Sequence, residues 1–470
     1  MLDYNLENRG EASLYEYVYQ QIRDDIVAGR IAAGEHLPSK RAFASHLGIS
    51  VITIENAYSQ LLAEGYICSK PRRGYYACEL PDAPVLASAA EGIDRDDASV
   101  GPSAYDVNGQ VERFDALSPS ALEAARLWQS ALRATLASED EREIFSTAPA
   151  QGTARLRRAI AHHLRGTRGM NVDPDNIVIG AGAQLLDTML VQLLGADKVY
   201  AVEDPGYLRL TRIYQVMGCE VRHVPLDAEG VDLSALQKTG TDVLHLMPSH
   251  QYPTGIVMPL KRRLELLRWA NEKEGRFIIE DDYDSEFRYK GKPIPALQGY
   301  DSDEKVIYLG TFSKSIAPAI RLSYMVLPVP LLKKYRENYR FINSTVSKVD
   351  QLIVQKFIEE GYYERHLNKT RALYKNRHDV LIEALKPLLG RCRISGEHAG
   401  VHLLLNFKDG TSEEFLIRKA KEAGVRVYGM SQYRIETTEE PATILLGYAN
   451  MSEEDIKEAV NLLNQCWTEL

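Results

Sequence analysis

Cysteine is scarce in this chain. Five residues (Cys68, Cys78, Cys219, Cys392, Cys466) are scattered over 470 positions, and no two stand in C-x-x-C spacing. Neither a disulfide frame nor a zinc site is indicated, which fits a reducing compartment. Long apolar runs are also missing: every apolar stretch is short and interrupted, so no transmembrane helix is expected. The first residues, Met1-Leu2-Asp3-Tyr4-Asn5, lack the charged-then-apolar pattern of an export signal, so a cytoplasmic location is expected. There is no excess of positive charge either. The formal net charge is −9, so any contact with nucleic acid has to come from a local patch. What is present is length and apolar content: 470 residues, 45% of them hydrophobic, make two or three domains with a substantial core.

Three regions stand out. Residues 1–80 carry helical periodicity and end in a short turn-rich stretch. Residues 81–109 are rich in Ala, Asp, Ser, Gly and Pro and show no sustained apolar period, so they read as a linker. A flexible linker of that length spans about 30 Å. From residue 110 to 470, strand-like apolar runs alternate with helical segments, the pattern of an α/β domain with a parallel sheet covered by helices.

In the first region, Leu14, Tyr15, Val18, Tyr19, Ile22 and Ile26 predict a helix over 14–28. Pro38-Ser39-Lys40-Arg41 opens a second helix that ends at Leu47, with Gly48 in a tight turn. Ser50 is placed to cap a third helix, with Ile54, Ala57, Tyr58, Leu61 and Leu62 facing inward. Two helices joined by a short turn with Gly make a helix-turn-helix. A strand follows from Tyr66, with a hairpin tip at Lys70-Pro71-Arg72-Arg73-Gly74 and a return over Tyr75-Tyr76-Ala77. Residues 36–78 hold five Lys and Arg (Lys40, Arg41, Lys70, Arg72, Arg73) against Glu55 and Glu64, a balance of +3. These cations cluster where they would meet phosphates. The competing reading is a small helical domain with a solvated basic loop.

In the third region, five segments each follow a strand-like run. Gly182-Ala183-Gln184 follows Ile177-Val178-Ile179, and Asp204-Pro205-Gly206-Tyr207 follows Val199-Tyr200-Ala201-Val202. Ser249-His250-Gln251-Tyr252-Pro253-Thr254-Gly255 follows Val243-Leu244-His245-Leu246. Asp281 follows Phe277-Ile278-Ile279, and Lys314 follows Val306-Ile307-Tyr308-Leu309. Ligands of open α/β sheets bind beyond the carboxyl ends of the strands. An amine, a carboxylate and phosphate-binding groups in this order are what pyridoxal 5'-phosphate (PLP) requires. Lys314 is expected to form the Schiff base with the cofactor aldehyde. Asp281 is expected to pair with the pyridine nitrogen, Tyr283 with the ring hydroxyl, and Tyr207 with the ring face. Backbone N–H groups at Gly182, Ala183 and Gln184 suit the phosphate, with Thr311, Ser313 and Arg321 completing its site. Each segment alone is unremarkable: Gly-Ala-Gly is usually a turn, and a lone Ser-Lys is usually surface. Their joint order carries the reading.

The head motif L-P-S-K-R-x-x-A-x-x-L-G-I-S…A-Y-x-x-L-x-A-E-G-Y resembles the winged helix-turn-helix of GntR-type bacterial repressors. The resemblance implies DNA contacts by Arg41 and by the wing tip Arg73-Gly74. The family's Arg at the start of the recognition helix is Val51 here, so base readout is expected from Ser50, Thr53 and Asn56. The body resembles a fold-type I aminotransferase domain through Pro248–Gly255, Ile279–Phe287 and Gly310–Ser315. Head and body in this order resemble the MocR subfamily of GntR regulators. That resemblance implies a head-to-tail homodimer that binds double-stranded operator DNA and a small-molecule effector.

Two departures bear on function. Aminotransferases of this family carry an Arg in a stretch like R-L-S-F-A that grips the substrate α-carboxylate. The matching stretch here is Leu445-Leu446-Gly447-Tyr448-Ala449, without the bidentate partner. The Asn that precedes Pro-Thr-Gly in those enzymes is replaced by Tyr252. GABA-sensing relatives use an Arg in the Pro-Gly-Tyr segment, kept here as Arg209, and another after Gly-Met-Ser, where this chain has Gln432 with Arg434 two residues on. The expected function is a PLP-dependent transcriptional regulator that senses PLP, an amine, an amino acid or a dipeptide. The alternative is a working aminotransferase with a fused DNA-binding head. A third reading is a DNA-binding protein with a degenerate, cofactor-free body.

Overall fold

The computed structural model describes residues 2–10, 13–70, 73–79, 119–288, 294–339, 341–396, 400–435 and 441–468. Arg72 and the expected linker over 81–109 lie outside the described residues. The chain divides into two compact units, Met1–Val107 and Asn108–Leu470.

The first unit holds α1 (Leu14–Val27), α2 (Lys40–Leu47), α3 (Val51–Ala63) and an antiparallel hairpin of β1 (Ile67–Lys70) and β2 (Gly74–Ala77). Local chemistry sets the breaks. The Ser39 side chain caps α2 by accepting from Ala42 N, and Ser50 caps α3 by accepting from Thr53 N. Gly48 ends α2 at φ 70°, a left-handed conformation that suits glycine. Val18, Ile22 and Ile26, four residues apart, bury one face of α1 against Phe43, Ile54, Ala57, Tyr58 and Leu61.

The second unit is built on a large sheet of β3 (Ile177–Gly180), β4 (Val199–Asp204), β5 (Glu220–Asp227), β6 (Gly230–Val231), β7 (Val243–Leu246), β8 (Phe277–Asp282), β9 (Val306–Thr311) and β10 (Ser323–Val326). The order across the sheet is β3-β10-β9-β8-β7-β4-β5-β6. Strands β3 and β7 are buried throughout, as apolar runs covered on both faces should be. A smaller antiparallel sheet, β11 (Cys392–Ser395), β12 (His402–Phe407), β13 (Tyr428–Gly429) and β14 (Thr443–Gly447), carries a separate core closed by helix Glu453–Thr468.

The large sheet is not wholly parallel. β10 runs antiparallel to both of its neighbours, with Ser323 opposite Gly180 on one side and Thr311 on the other. A reversed strand starts where its neighbours end. Arg321, two residues before Ser323, therefore stands at the edge where β3, β8 and β9 finish.

Successive side chains on β8 point to opposite faces. Asp282 points away from Asp281, into a buried charged network. Its carboxylate meets Arg168 Nε at 2.7 Å, Tyr308 Oη at 2.6 Å and Ser285 Oγ at 2.9 Å. Arg168 also donates to Ser249 Oγ at 2.5 Å and to the Ile294 carbonyl. Two residues back, Glu280 accepts from Leu297 N and Gln298 N, each at 2.8 Å. Arg168→Met removes the partner of a buried carboxylate, so it should lower the stability of the second unit by about 3–5 kcal/mol. Urea unfolding followed by tryptophan fluorescence measures this, and a loss below about 1 kcal/mol would remove Arg168–Asp282 from that role.

Candidate functional site

The site lies at the carboxyl edge of the large sheet. After β3 the chain turns through Ala181-Gly182 into helix Ala183–Leu194. Gly182, at φ 93°, has no room for a side chain: a Cβ there would sit 2.4 Å from Arg321 Nη2. The guanidinium thus lies against the N-terminus of a helix whose first N–H groups have no intrahelical partners. A cation beside free N–H groups is a site for an anion. Thr311 Oγ1, at the end of β9, accepts from Ser313 N at 3.2 Å and pairs with Ser323 Oγ at 2.8 Å. Ser313 is placed differently from the expectation of a phosphate ligand. Its hydroxyl donates to the Ile320 carbonyl at 2.8 Å, so its proton is already committed.

Lys314 sits in the one-turn helix Phe312–Ser315 that follows β9 and is exposed. Behind it, Ser315 is held by Tyr363, whose hydroxyl donates to Ser315 Oγ at 2.8 Å, and by His366 Nε2, 2.8 Å from the Ser315 carbonyl. His402, buried on β12, feels the charge of Lys314. Burial first, and the neighbouring His250 second, push its pKa down to about 4, so the ring is neutral.

Asp281 is backed by a histidine that stands inside the apolar run of β7. His245, on β7, is fully buried with Nε2 3.7 Å from Asp281 Oδ2, and Tyr214 Oη is 2.6 Å from its Nδ1. Burial opposes the charged ring, but the neighbouring carboxyl groups, that of Asp281 first, outweigh it, and the pKa is raised. Burial also pushes Asp187 up to about 7 and Glu203 up to about 8.

Aromatic rings cluster beside these groups. Tyr252 makes edge contacts with Tyr207, Tyr283, His402 and Tyr433, with centroids 5.3–6.2 Å apart. The Tyr283 hydroxyl is 3.0 Å from His250 Nδ1, which is also 2.8 Å from Asp284. Burial raises the Tyr207 pKa, and the nearby Arg209 charge opposes that rise. Arg434 lines a groove beside the small sheet with Lys408, Glu413 and Thr443. Its neighbour Tyr433, which no sequence motif marks, reaches the ring cluster: its hydroxyl meets Tyr252 Oη at 3.2 Å and its carbonyl accepts from Gly206 N. Leu445 is buried against Leu404 and Met430.

On the first unit, Arg41 and Arg73 are exposed, at the start of α2 and at the wing tip beside Gly74. Lys40 is less free, because its Nζ is 2.6 Å from Glu55 on α3. Lys70 lies over the Tyr76 ring, 4.4 Å from its centroid. Ser50 and Thr53, expected to read bases, are joined at 2.8 Å through their hydroxyls. Capping α3 takes both, and Asn56 is left as the exposed amide of the three.

Comparison with known proteins follows the same division. Residues 14–76 match the family described as bacterial regulatory proteins, gntR family, and residues 114–463 match aminotransferase class I and II. The chain is 39% identical to the HTH-type transcriptional regulator YhdI of Bacillus subtilis, over 99% of this chain and 98% of that one. It is 28% identical to the probable rhizopine catabolism regulatory protein MocR of Rhizobium meliloti, over 99% and 96%. The chain belongs to the MocR subfamily of GntR regulators. Among solved structures, the multiple substrate aminotransferase of Thermococcus profundus is similar to this MocR-type body at 25% identity and a TM-score of 0.65. The match covers 75% of this chain and 91% of that one. Among the described residues, no helix is long and apolar enough to cross a membrane.

The buried carboxyl groups behind Asp281 set a pH dependence for this MocR-type body. Folded Glu203 keeps a proton up to about pH 8, whereas the unfolded chain releases it near its ordinary 4.5. The folded state then binds more protons, so stability falls as pH rises across that window. Glu203→Gln should flatten the fall in melting temperature between pH 6 and 9. An unchanged slope would show that Glu203 is not the proton held.

Proposed function

We propose that this protein is a PLP-binding transcriptional regulator whose first unit binds DNA and whose second unit senses a small molecule. One observation carries the second half of this reading: the Arg321 guanidinium against Gly182 at a helix N-terminus, at the same sheet edge as Lys314 and Asp281. The residues present fit the cofactor. The Gly182 cradle and Arg321 suit a phosphate dianion, Asp281 suits a protonated ring nitrogen, and Lys314 has no ion-pair partner among the described residues. PLP, when bound, supplies an electrophilic carbonyl carbon and an electron-accepting ring.

The chain's own groups have distinct tasks. Arg321, Thr311 and the N–H groups of Ala183 and Gln184 hold the phosphate. Lys314 supplies the amine. His245, with its pKa raised by the carboxyl groups around it, places a positive ring edge 3.7 Å behind Asp281. Tyr283, half-buried and with its pKa raised well above the ordinary value by desolvation, stays a neutral hydroxyl able to donate. Tyr207 and Tyr252 wall the ring side.

Leu445, buried at the position where aminotransferases hold a carboxylate-gripping arginine, leaves an incoming α-carboxylate without its usual partner. This favours sensing over turnover. Arg209, whose charge acts on Tyr207, is the contact for an acidic effector. The effector is PLP itself or an amine-bearing compound such as an amino acid or dipeptide. The regulator acts in the cytoplasm as a homodimer, with its heads on operator DNA. Retention of Lys314, Asp281 and Arg321 supports a second reading, an active aminotransferase, which sustained conversion of an amino acid to its keto acid would establish.

Lys314→Ala should abolish the visible absorbance of the PLP-loaded protein, and a retained band would remove Lys314 from its role. Arg321→Met should weaken PLP affinity about tenfold to a hundredfold, the worth of a hydrogen bond to a charged group. Affinity for unphosphorylated pyridoxal should hardly change. Equal losses for both compounds would place Arg321 away from the phosphate. On the first unit, Arg41→Ala should weaken DNA binding on all sequences and lower the slope of log affinity against log salt by about 1. An unchanged slope would take Arg41 off the phosphate backbone.

A further inference from the structure

Recognition helices of helix-turn-helix domains present their first turns to base edges in the major groove. On α3 that surface has unusual chemistry. The exposed residues of α3 are Val51, Ile52, Glu55, Asn56, Ser59, Gln60 and Ala63, a single face of the helix. Val51 is 41% exposed and Ile52 67% exposed. Between Val51 and Ala63 the helix carries no lysine or arginine. The polar groups of its first turn are committed elsewhere: Ser50 and Thr53 to each other and to the cap, and Glu55 to Lys40. One exposed isoleucine would need no explanation. Here two adjacent apolar side chains lead the helix, with the exposed cation Arg41 at the start of the preceding helix.

Guanine is read in the major groove by guanidinium or ammonium donors, which α3 lacks. Apolar side chains instead match the 5-methyl group of thymine, and an Asn amide matches adenine. We propose that α3 recognises thymine methyl groups through Val51 and Ile52, with Asn56 reading a neighbouring adenine, so that the operator half-site is rich in A·T pairs. This inference rests on the DNA-binding reading of the first unit and deepens it.

Replacing thymine by deoxyuridine removes the methyl group and leaves the base pair intact, which gives a direct test. The full-length, PLP-loaded protein is used to select duplexes from a random pool. Its affinity is then measured for the selected site and for two substituted copies, one with uracil inside the site and one with uracil only in the flanks. Expected is a loss of about fourfold for each contacted thymine, the worth of one buried methyl, with no loss from the flanking substitution. Ile52→Ala or Val51→Ala should shrink the thymine–uracil gap.

Equal affinity for the thymine and uracil sites overturns the inference while leaving DNA binding intact. A selected site with guanine at the discriminating positions does the same. So does a Val51→Ser, Ile52→Ser variant that binds the site as before but changes its oligomeric state, because the apolar pair would then be a protein contact. If no duplex is retained even at low salt, the DNA-binding reading itself fails, and the inference fails with it.

Discussion

The pairing of Arg168 with Asp282 is the constraint on which the body's site depends. A buried ion pair is not in itself a large source of stability, because removing both charges from water costs about as much as their attraction returns. Its value here is positional. Asp282 is fixed on one face of β8 by a guanidinium, two hydroxyls and the strand's own hydrogen bonds. With the side-chain alternation of a strand, that leaves Asp281 only one direction, toward His245 and the sheet edge. Glu280, anchored by two backbone N–H groups, fixes the preceding step. Three acidic residues in a row would be an electrostatic liability on one face. Divided between two faces, each with its own partners, they hold the strand in register.

The reversed strand β10 is the second organising feature. It lets residues far apart in sequence, Gly182, Thr311 and Arg321, meet at one edge without a long excursion of chain. A purely parallel sheet would have put the start of that strand at the opposite edge, with Arg321 there too. The anion site is thus a consequence of topology more than of any local motif.

The body's strands and the helices of the head were legible because their signals are local: apolar runs ending in Gly, Asp or Lys, and serines placed before periodic segments. What was not legible depends on tertiary partners. His245 lies inside an apolar run, and nothing in Val243-Leu244-His245-Leu246 tells that its ring faces Asp281 rather than a backbone carbonyl. Ser313 carries the right hydroxyl, but the Ile320 carbonyl takes its proton. Tyr433 stands beside the more conspicuous Arg434, and a sequence shows charge but not a side chain's direction. Ser50 and Thr53 show the same limit in the head. Residue types that read bases are also those that cap helices, and only coordinates show which task they perform.

A sensor built from an enzyme fold must keep the groups that hold the cofactor and relax those that commit a substrate to turnover. On the proposed reading the amine is Lys314, the carboxylate is Asp281 with His245 behind it, and the phosphate cradle is Gly182 with Arg321, whereas Leu445, aligned with the α-carboxylate-gripping arginine, is packed into a hydrophobic cluster of the small sheet. A ligand can move an equilibrium only by as much as it prefers one state over another, so slow turnover would serve a sensor of this kind: the occupied state would persist long enough to bias a DNA-binding domain. Tyr433 bears on how such a bias could arise. It comes from the segment after β13, yet it touches Tyr252 and the Gly206 backbone on the large sheet. A ligand that displaces or grips Tyr433 therefore acts on both sheets of the body at once, and a change at the site becomes a change in how the small sheet is held against the large one.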